Sequence, residues 1–368
     1  MSRSPDVFIL KIILSVGVME EIMAGNMAEK SKKELLRYVG NMQQMAYARE
    51  IGYQDGRAGG MKAVEVKSGA VRFTAALDKC MDIIQLEYKG NNLNFLSKPG
   101  LQNRGHYDTN GSEAQRSIMG GFMFTCGVGN VGGPEDGDDG EPLPMHGRLR
   151  STPAEHVCID GYWENDSYIL KLSGEMRHGK LFGENVMVRR EIVTSFGSNV
   201  IHLKDEIENQ GFSETPFMYL YHCNIGYPIL EEGTRLIIPA VSTVLKGGDE
   251  ETDLPWQKVT APVDGCQEQV FYHRLLEDEK GWFHVGAVND NLGIGVMLGF
   301  KKEQMPFFTQ WKSMASGDYV TGLEPCNCHP AGRAWEKRNG TLQMLAPFEK
   351  RTVELDIMIL DREEGEWA

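Results

Sequence analysis

The sequence predicts an all-β protein with one main domain, and three observations carry that expectation. Apolar or alternating segments are short and end at Gly, Asn, Asp or Pro, as at 61–66, 71–76, 168–172, 186–194, 200–207, 217–222, 282–288, 294–300 and 353–360. Within 186–194, Val186, Val188, Arg190 and Ile192 share one face, a period of two that suits a pleated strand rather than a helix. These segments do not alternate with helical stretches, and no repeat of about 20–50 residues appears, which speaks for a sandwich or barrel over a parallel α/β sheet, a propeller or a solenoid.

Taken in order, the chain divides into three parts. Residues 1–26 contain an apolar run from Val7 to Val18, broken by Lys11 and Ser15. The run is too short for a membrane span of about 20 residues and lacks the form of a secretory leader. Residues 1–26 are expected to be disordered or to reflect a start codon placed too early, with ordinary sequence beginning at Met27. Residues 27–51 are expected to form an N-terminal arm, with 32–51 the one long stretch compatible with a helix despite Gly40. Residues 52–361 are then a single β domain. The glycine-rich, acidic turn 127–144 lies between strand-like segments and has the look of a functional loop.

Composition excludes some functions. The 368 residues carry 52 acidic and 38 basic side chains, a formal charge of −14, with no Lys/Arg-rich run. A nucleic-acid binder needs a basic face, so neither nucleic acid nor a membrane is an expected partner. Seven scattered cysteines without a CxxC pair predict a reduced, cytoplasmic protein. In that setting the Asn-x-Ser/Thr matches at Asn110, Asn165 and Asn339 carry no meaning.

Three motifs mislead. Gly127-Val-Gly129-Asn-Val-Gly132 fits the dinucleotide pattern, but Gly133-Pro134 and an acidic run follow it instead of a helix. The stretch from Asp136 to Glu141 lacks the glycine and final acid of a calcium loop. Cys326-Asn-Cys328-His329 has a spacing tighter than structural zinc sites use, and buried thiols packing as small hydrophobes are the simpler reading.

Chemistry concentrates in three other segments: Pro144-Met-His146-Gly-Arg148, Tyr219-Leu-Tyr-His222-Cys-Asn224-Ile-Gly226-Tyr-Pro228, and Gly322-Leu-Glu324-Pro-Cys-Asn327-Cys-His329-Pro-Ala-Gly332-Arg333. Each places proton-handling groups beside Gly or Pro that shape the backbone. Together with Gly56-Arg57-Ala-Gly59, Asp78-Lys79-Cys-Met-Asp82, Thr125-Cys-Gly127, Asn130-Val-Gly132 and Thr152-Pro-Ala154, they make the chain resemble the aldose 1-epimerase superfamily. The closer likeness is to its divergent bacterial branch, long filed as a domain of unknown function. The similarity runs over about residues 42–360.

The resemblance implies a galactose mutarotase-like β-supersandwich with a sugar groove across one sheet. It also implies an isomerase of carbohydrate metabolism that interconverts the anomers of a free aldose or deoxy-sugar. By motif, Glu324 resembles the base that deprotonates the anomeric hydroxyl, His222 the acid that protonates the ring oxygen, and His146 a second, substrate-holding histidine. A carboxylate and an imidazolium suit a reaction that needs an acceptor and a donor together near neutral pH. No metal or nicotinamide cofactor is called for. Arg148, Asn224, His329 and Arg333 are further candidates for sugar contact, and Lys79 stands where the branch usually has arginine, keeping the charge but losing the fork. The aspartate that grips sugar hydroxyls in the family has no clear match.

His106, His156, His178, His202, His273 and His284 are expected to be structural, and Asp82 a strand-end turn residue. Two other functions compete: a non-catalytic carbohydrate-binding or regulatory protein, and a metal-dependent isomerase or lyase using His222, Glu324, Cys326, Cys328 and His329. The expected partner is a small sugar, and the expected assembly a monomer or homodimer.

Overall fold

A computed structural model describes residues 30–106, 111–138 and 140–362. The expectations for residues 1–26, for Met27 and for Asn110 lie outside the described residues. Three antiparallel sheets dominate. A 5-stranded sheet runs in sequence order from Tyr47–Gly52 through Lys62–Lys67, Val71–Ala76 and Asp82–Tyr88 to Asn91–Asn92. An 8-stranded sheet runs Glu155–Glu164, Ser167–Gly179, Asn185–Ser195, Val200–Asn209, Lys350–Asp361, Ile294–Lys301, Trp282–Asn289, Arg235–Ile237. A 7-stranded sheet runs Ala240–Leu245, Gln269–Leu275, Phe307–Ala315, Asp318–Cys326, Thr215–Ile225, and Thr215–Ile225 also pairs with Gln343–Leu345 and with Met123–Val128.

The helix expected over 32–51 is not there. Ser31 and Glu34 form a reciprocal cap on a helix of only four residues, Lys32–Leu35, and a single 3-10 turn follows at Met42–Gln44. Tyr47–Gly52 is a strand paired with Lys62–Lys67, so the sheet begins before residue 52. Leu35, Val39, Met42 and Ala46 have the spacing of a helical face and all are buried, but they reach the core along a turning path. Gly40 weakens a continuous helix there, and pairing supplies what the helix would have: Tyr47 and Arg49 both bond the Glu65 carboxylate across the strands.

One large core fills the space between the sheets. Alternation along Thr215–Ile225 sends Phe217, Tyr219, Tyr221, Cys223 and Ile225 into it. Met218 and Leu220 go to the opposite face, into a smaller cluster with Phe124, Cys126, Cys326 and Cys328.

Asp82 is not a turn residue. It opens the strand Asp82–Tyr88 fully buried, where Oδ1 accepts from Thr125 Oγ1 at 2.6 Å and from Arg190 Nη1 at 2.9 Å. The Arg190 guanidinium, with no exposed surface, also forks onto Asp205 at 2.8 and 2.6 Å, and Tyr219 and Tyr221 both donate to Asp205 Oδ2 at 2.7 Å. This network ties the three sheets together through charge-assisted bonds. Among the described residues no helix is long and apolar enough to cross a membrane.

Candidate active site

Antiparallel register assembles the site. Leu220 pairs with Cys326 and Cys223 with Leu323, which sets His222 opposite Glu324 on the face turned away from the main core. On the other side His222 pairs with Phe124. Two residues 102 positions apart in sequence are thereby in contact: His222 Nε2 lies 3.1 Å from Glu324 Oε1, although the pair is not aligned as a hydrogen bond.

His146 arrives from the 127–144 loop. Its backbone is left-handed at φ 57°, and Gly147 follows at φ 74°. That unusual pair is pinned by Gly127 N–H to His146 O (3.1 Å), His146 N–H to Gly132 O (2.8 Å) and Arg148 N–H to Gly127 O (3.0 Å). A Cβ on Gly147 would sit 2.2 Å from Gly127 O, and one on Gly127 would sit 2.2 Å from Met218 O, so both glycines are required by close backbone approach. The dinucleotide-like glycines therefore serve backbone packing, and the strand Met123–Val128 leads into a loop, not a helix.

Aromatic rings enclose His222. Phe124 stacks on it with ring centres 4.4 Å apart, Trp311 meets it edge-on at 5.4 Å, and His146 does so at 5.7 Å. The Trp311 indole N–H donates to Glu268 at 2.7 Å. Burial dominates the electrostatics. It pushes Glu324 up from 4.5 to about 8, with Lys246 opposing and Glu268 adding to the shift. It pulls His222 well below its usual value, helped by His146, and His146 down to about 4, helped by Lys246. Burial thus favours the neutral form of each partner, a protonated carboxyl beside an uncharged imidazole. That is the reverse of the carboxylate–imidazolium arrangement expected from residue type alone, because desolvation penalises both charged forms.

The site is also marked by polar atoms without partners. His146 Nδ1, His222 Nδ1, Glu324 Oε1 and Tyr272 Oη are buried and have no hydrogen-bonding partner among the described residues. Buried polar atoms are ordinarily satisfied, so these are candidate contacts for a polar ligand.

The other candidates are placed differently. Asn224 supports the site: its amide donates to Gly121 O and His222 O at 3.1 Å. His329 is held by Glu336, which accepts from its backbone N–H at 2.8 Å and lies 3.2 Å from its Nδ1; the ring packs among Phe307, Tyr272 and Trp335. Lys79 is buried behind Phe124 with Arg150 in a cavity of about 20 Å³; burial lowers the lysine to about 8 and the arginine to about 9.

Arg148 and Arg333 do not join this row. They line a separate surface groove of about 770 Å³ with Glu135 and Asp136, and Arg148 pairs with Glu141 at 2.9 Å. Cys326 and Cys328 are buried in the small apolar cluster, and no three His, Cys, Asp or Glu side chains converge as metal ligands among the described residues. All seven cysteines are free. His156, His178, His202 and His284 sit against carboxylates, and His273 between Thr243 and Gln310, while the His106 side chain lies outside the described residues.

Phe124, Trp311, Lys246, Arg150 and Tyr272 were not singled out by sequence. Phe124 adjoins the quoted Thr125-Cys126-Gly127 segment and Arg150 lies between His146-Gly-Arg148 and Thr152-Pro-Ala154, whereas Trp311 and Tyr272 carry no local signal and only strand register brings them in.

Three antiparallel sheets around one large core form a galactose mutarotase-like fold. A Klebsiella pneumoniae protein provisionally assigned as an aldose 1-epimerase superimposes with a TM-score of 0.79 at 23% identity, covering 86% of this chain and 84% of its own. A galactose mutarotase-like protein from Clostridium acetobutylicum gives 0.61 at 13% identity over 86% and 99% of the two chains. Galactose 1-epimerase from Lactobacillus acidophilus gives 0.56 at 12% over 87% and 100%. No curated protein matches the sequence. The chain belongs to the family described as Domain of unknown function (DUF4432), which matches residues 58–359.

Proposed function

We propose that the protein is an aldose 1-epimerase that opens and recloses the hemiacetal of a free aldose or deoxy-sugar at the His222–Glu324 pair. The observation that carries the reading is the 3.1 Å contact between a buried carboxyl and a buried imidazole, a potential donor and acceptor side by side. Ring opening moves the proton of the anomeric hydroxyl to an acceptor while a donor protonates the ring oxygen. The C1–ring oxygen bond breaks as the C1 carbonyl forms, C1 turns about its bond to C2, and the steps reverse on the other face. Both reacting oxygens are attached to C1, so a donor and an acceptor standing side by side can serve them together.

In the resting pair the proton is on Glu324; its transfer across the 3.1 Å contact yields the carboxylate base and imidazolium acid of the family assignment. Either arrangement supplies one donor and one acceptor, each worth about 10²–10⁴-fold. His146, neutral at pH 7, is suited to hold a sugar hydroxyl. A merely sugar-binding protein has no need of a desolvated acid–base pair.

The test is anomer interconversion followed by polarimetry and NMR on D-galactose, D-glucose, D-xylose and L-fucose. Acceleration by the wild-type protein but not by Glu324→Gln is expected. Sugar binding without acceleration by the wild type would move the assignment to a binding protein.

A further inference from the structure

The row that carries His222 and Glu324 continues along the sheet. Glu324 faces Thr309 on the next strand, and Thr309 faces Tyr272 on the one after. Tyr272 therefore stands on the same face, about 10 Å from Glu324 at the backbone, given about 4.8 Å between neighbouring strands. Between them is the short side chain of Thr309. On the other side of His222 its ring is covered by the stacked Phe124 ring, which favours a sugar with C1 at the acid–base pair extending toward Tyr272.

The Tyr272 hydroxyl is buried without a hydrogen-bonding partner among the described residues, although a buried phenol ordinarily finds one. Burial, with Cys326, Glu324 and Glu336 adding to it, keeps the phenol protonated, so it is a neutral donor and acceptor. The surroundings are ordered. The ring packs against the edge of His329 at 4.8 Å, and Glu336 beside Nδ1 of that histidine leaves Nε2 as its acceptor. Lys246, whose charge also acts on Glu324 and His146, donates its ammonium to Pro330 O at 2.8 Å.

We propose that Tyr272 is a specificity-determining residue whose hydroxyl reads a sugar hydroxyl on the ring carbons remote from C1, in a subsite beside His329. The subsite rests on the epimerase reading for the placement of C1. An unmatched hydroxyl in such a place discriminates against sugars that lack the complementary group, because it is then left unpaired.

The test uses the full chain with D-galactose and D-glucose and their 3-deoxy and 4-deoxy analogues. Anomerisation is followed by NMR and binding by saturation transfer. In the wild type one deoxy analogue should lose about three- to tenfold in kcat/KM, through KM, relative to its parent. Tyr272→Phe should lower the parent by the same factor, leave kcat and that analogue nearly unchanged, and melt about 1–3 °C higher because an unpaired buried hydroxyl is gone. Equal parent-to-deoxy ratios in the two proteins would overturn the subsite, as would a lower melting temperature with unchanged ratios. Binding without acceleration by the wild type overturns the epimerase reading instead, and the binding ratios then decide the subsite. No binding of any of these sugars overturns both.

Discussion

Replacing Glu324 by Gln tests the electrostatics of the pair apart from its chemistry. The carboxyl is 2% exposed and titrates near 8 in place of 4.5. A group whose folded pKa is raised contributes stability that is complete below the unfolded value and is lost as pH rises through the folded one. The window is therefore pH 4.5 to about 8. At about 1.36 kcal/mol per pH unit, forcing the buried carboxyl to ionise costs the folded state about 4–5 kcal/mol by pH 9. Gln keeps the shape and cannot ionise. The stability difference, variant minus wild type, should thus be small at pH 5 and grow in the variant's favour by about 1 kcal/mol per pH unit until it levels near pH 8–9. The destabilisation expected from His222, whose pKa is lowered and which loses stability as pH falls below 6.5, is common to both proteins.

Urea denaturation at pH 5, 7 and 9 measures the difference, and anomerisation of a sugar that the wild type turns over should drop about 10²-fold or more in the same variant. A difference that stays flat with pH, or a variant several kcal/mol less stable at pH 5, would mean that Glu324 is an ionised partner of protonated His222. The argument from burial would then be wrong.

Three further outcomes follow from the same geometry. The pH profile of kcat/KM should be level from well below pH 6.5 to about 8 and fall above it, as the pair loses its proton; an acidic limb near 6.5 would show that His222 is not desolvated. Gly147→Ala places a Cβ against Gly127 O at a left-handed position, so thermal melting should report a loss of about 2–4 kcal/mol, with sugar turnover in the surviving fold reduced through displacement of His146. Arg190→Met leaves the buried Asp82 and Asp205 facing each other without their cation, and chemical denaturation should show a loss of about 3–5 kcal/mol.

The sequence by itself determined the β class, because alternation such as Val186, Val188, Arg190 and Ile192 is a local property of consecutive residues. It also singled out His146, His222 and Glu324, whose glycine and proline neighbours lie within a few positions. It failed where local pattern and tertiary pairing disagree. The helical spacing of Leu35, Val39, Met42 and Ala46 could not announce that Tyr47–Gly52 would pair with Lys62–Lys67. The short, acidic Asp82 looked like a turn residue because its partner Arg190 is 108 positions away. Arg148 and Arg333 share segments with His146 and Glu324, and the structure places both along the surface groove. Only the tertiary structure decided the register that sets Glu324 beside His222 and continues through Thr309 to Tyr272. It alone decided the proton's resting place too, since a pKa depends on how much water the surrounding fold removes, and no short stretch of sequence encodes that.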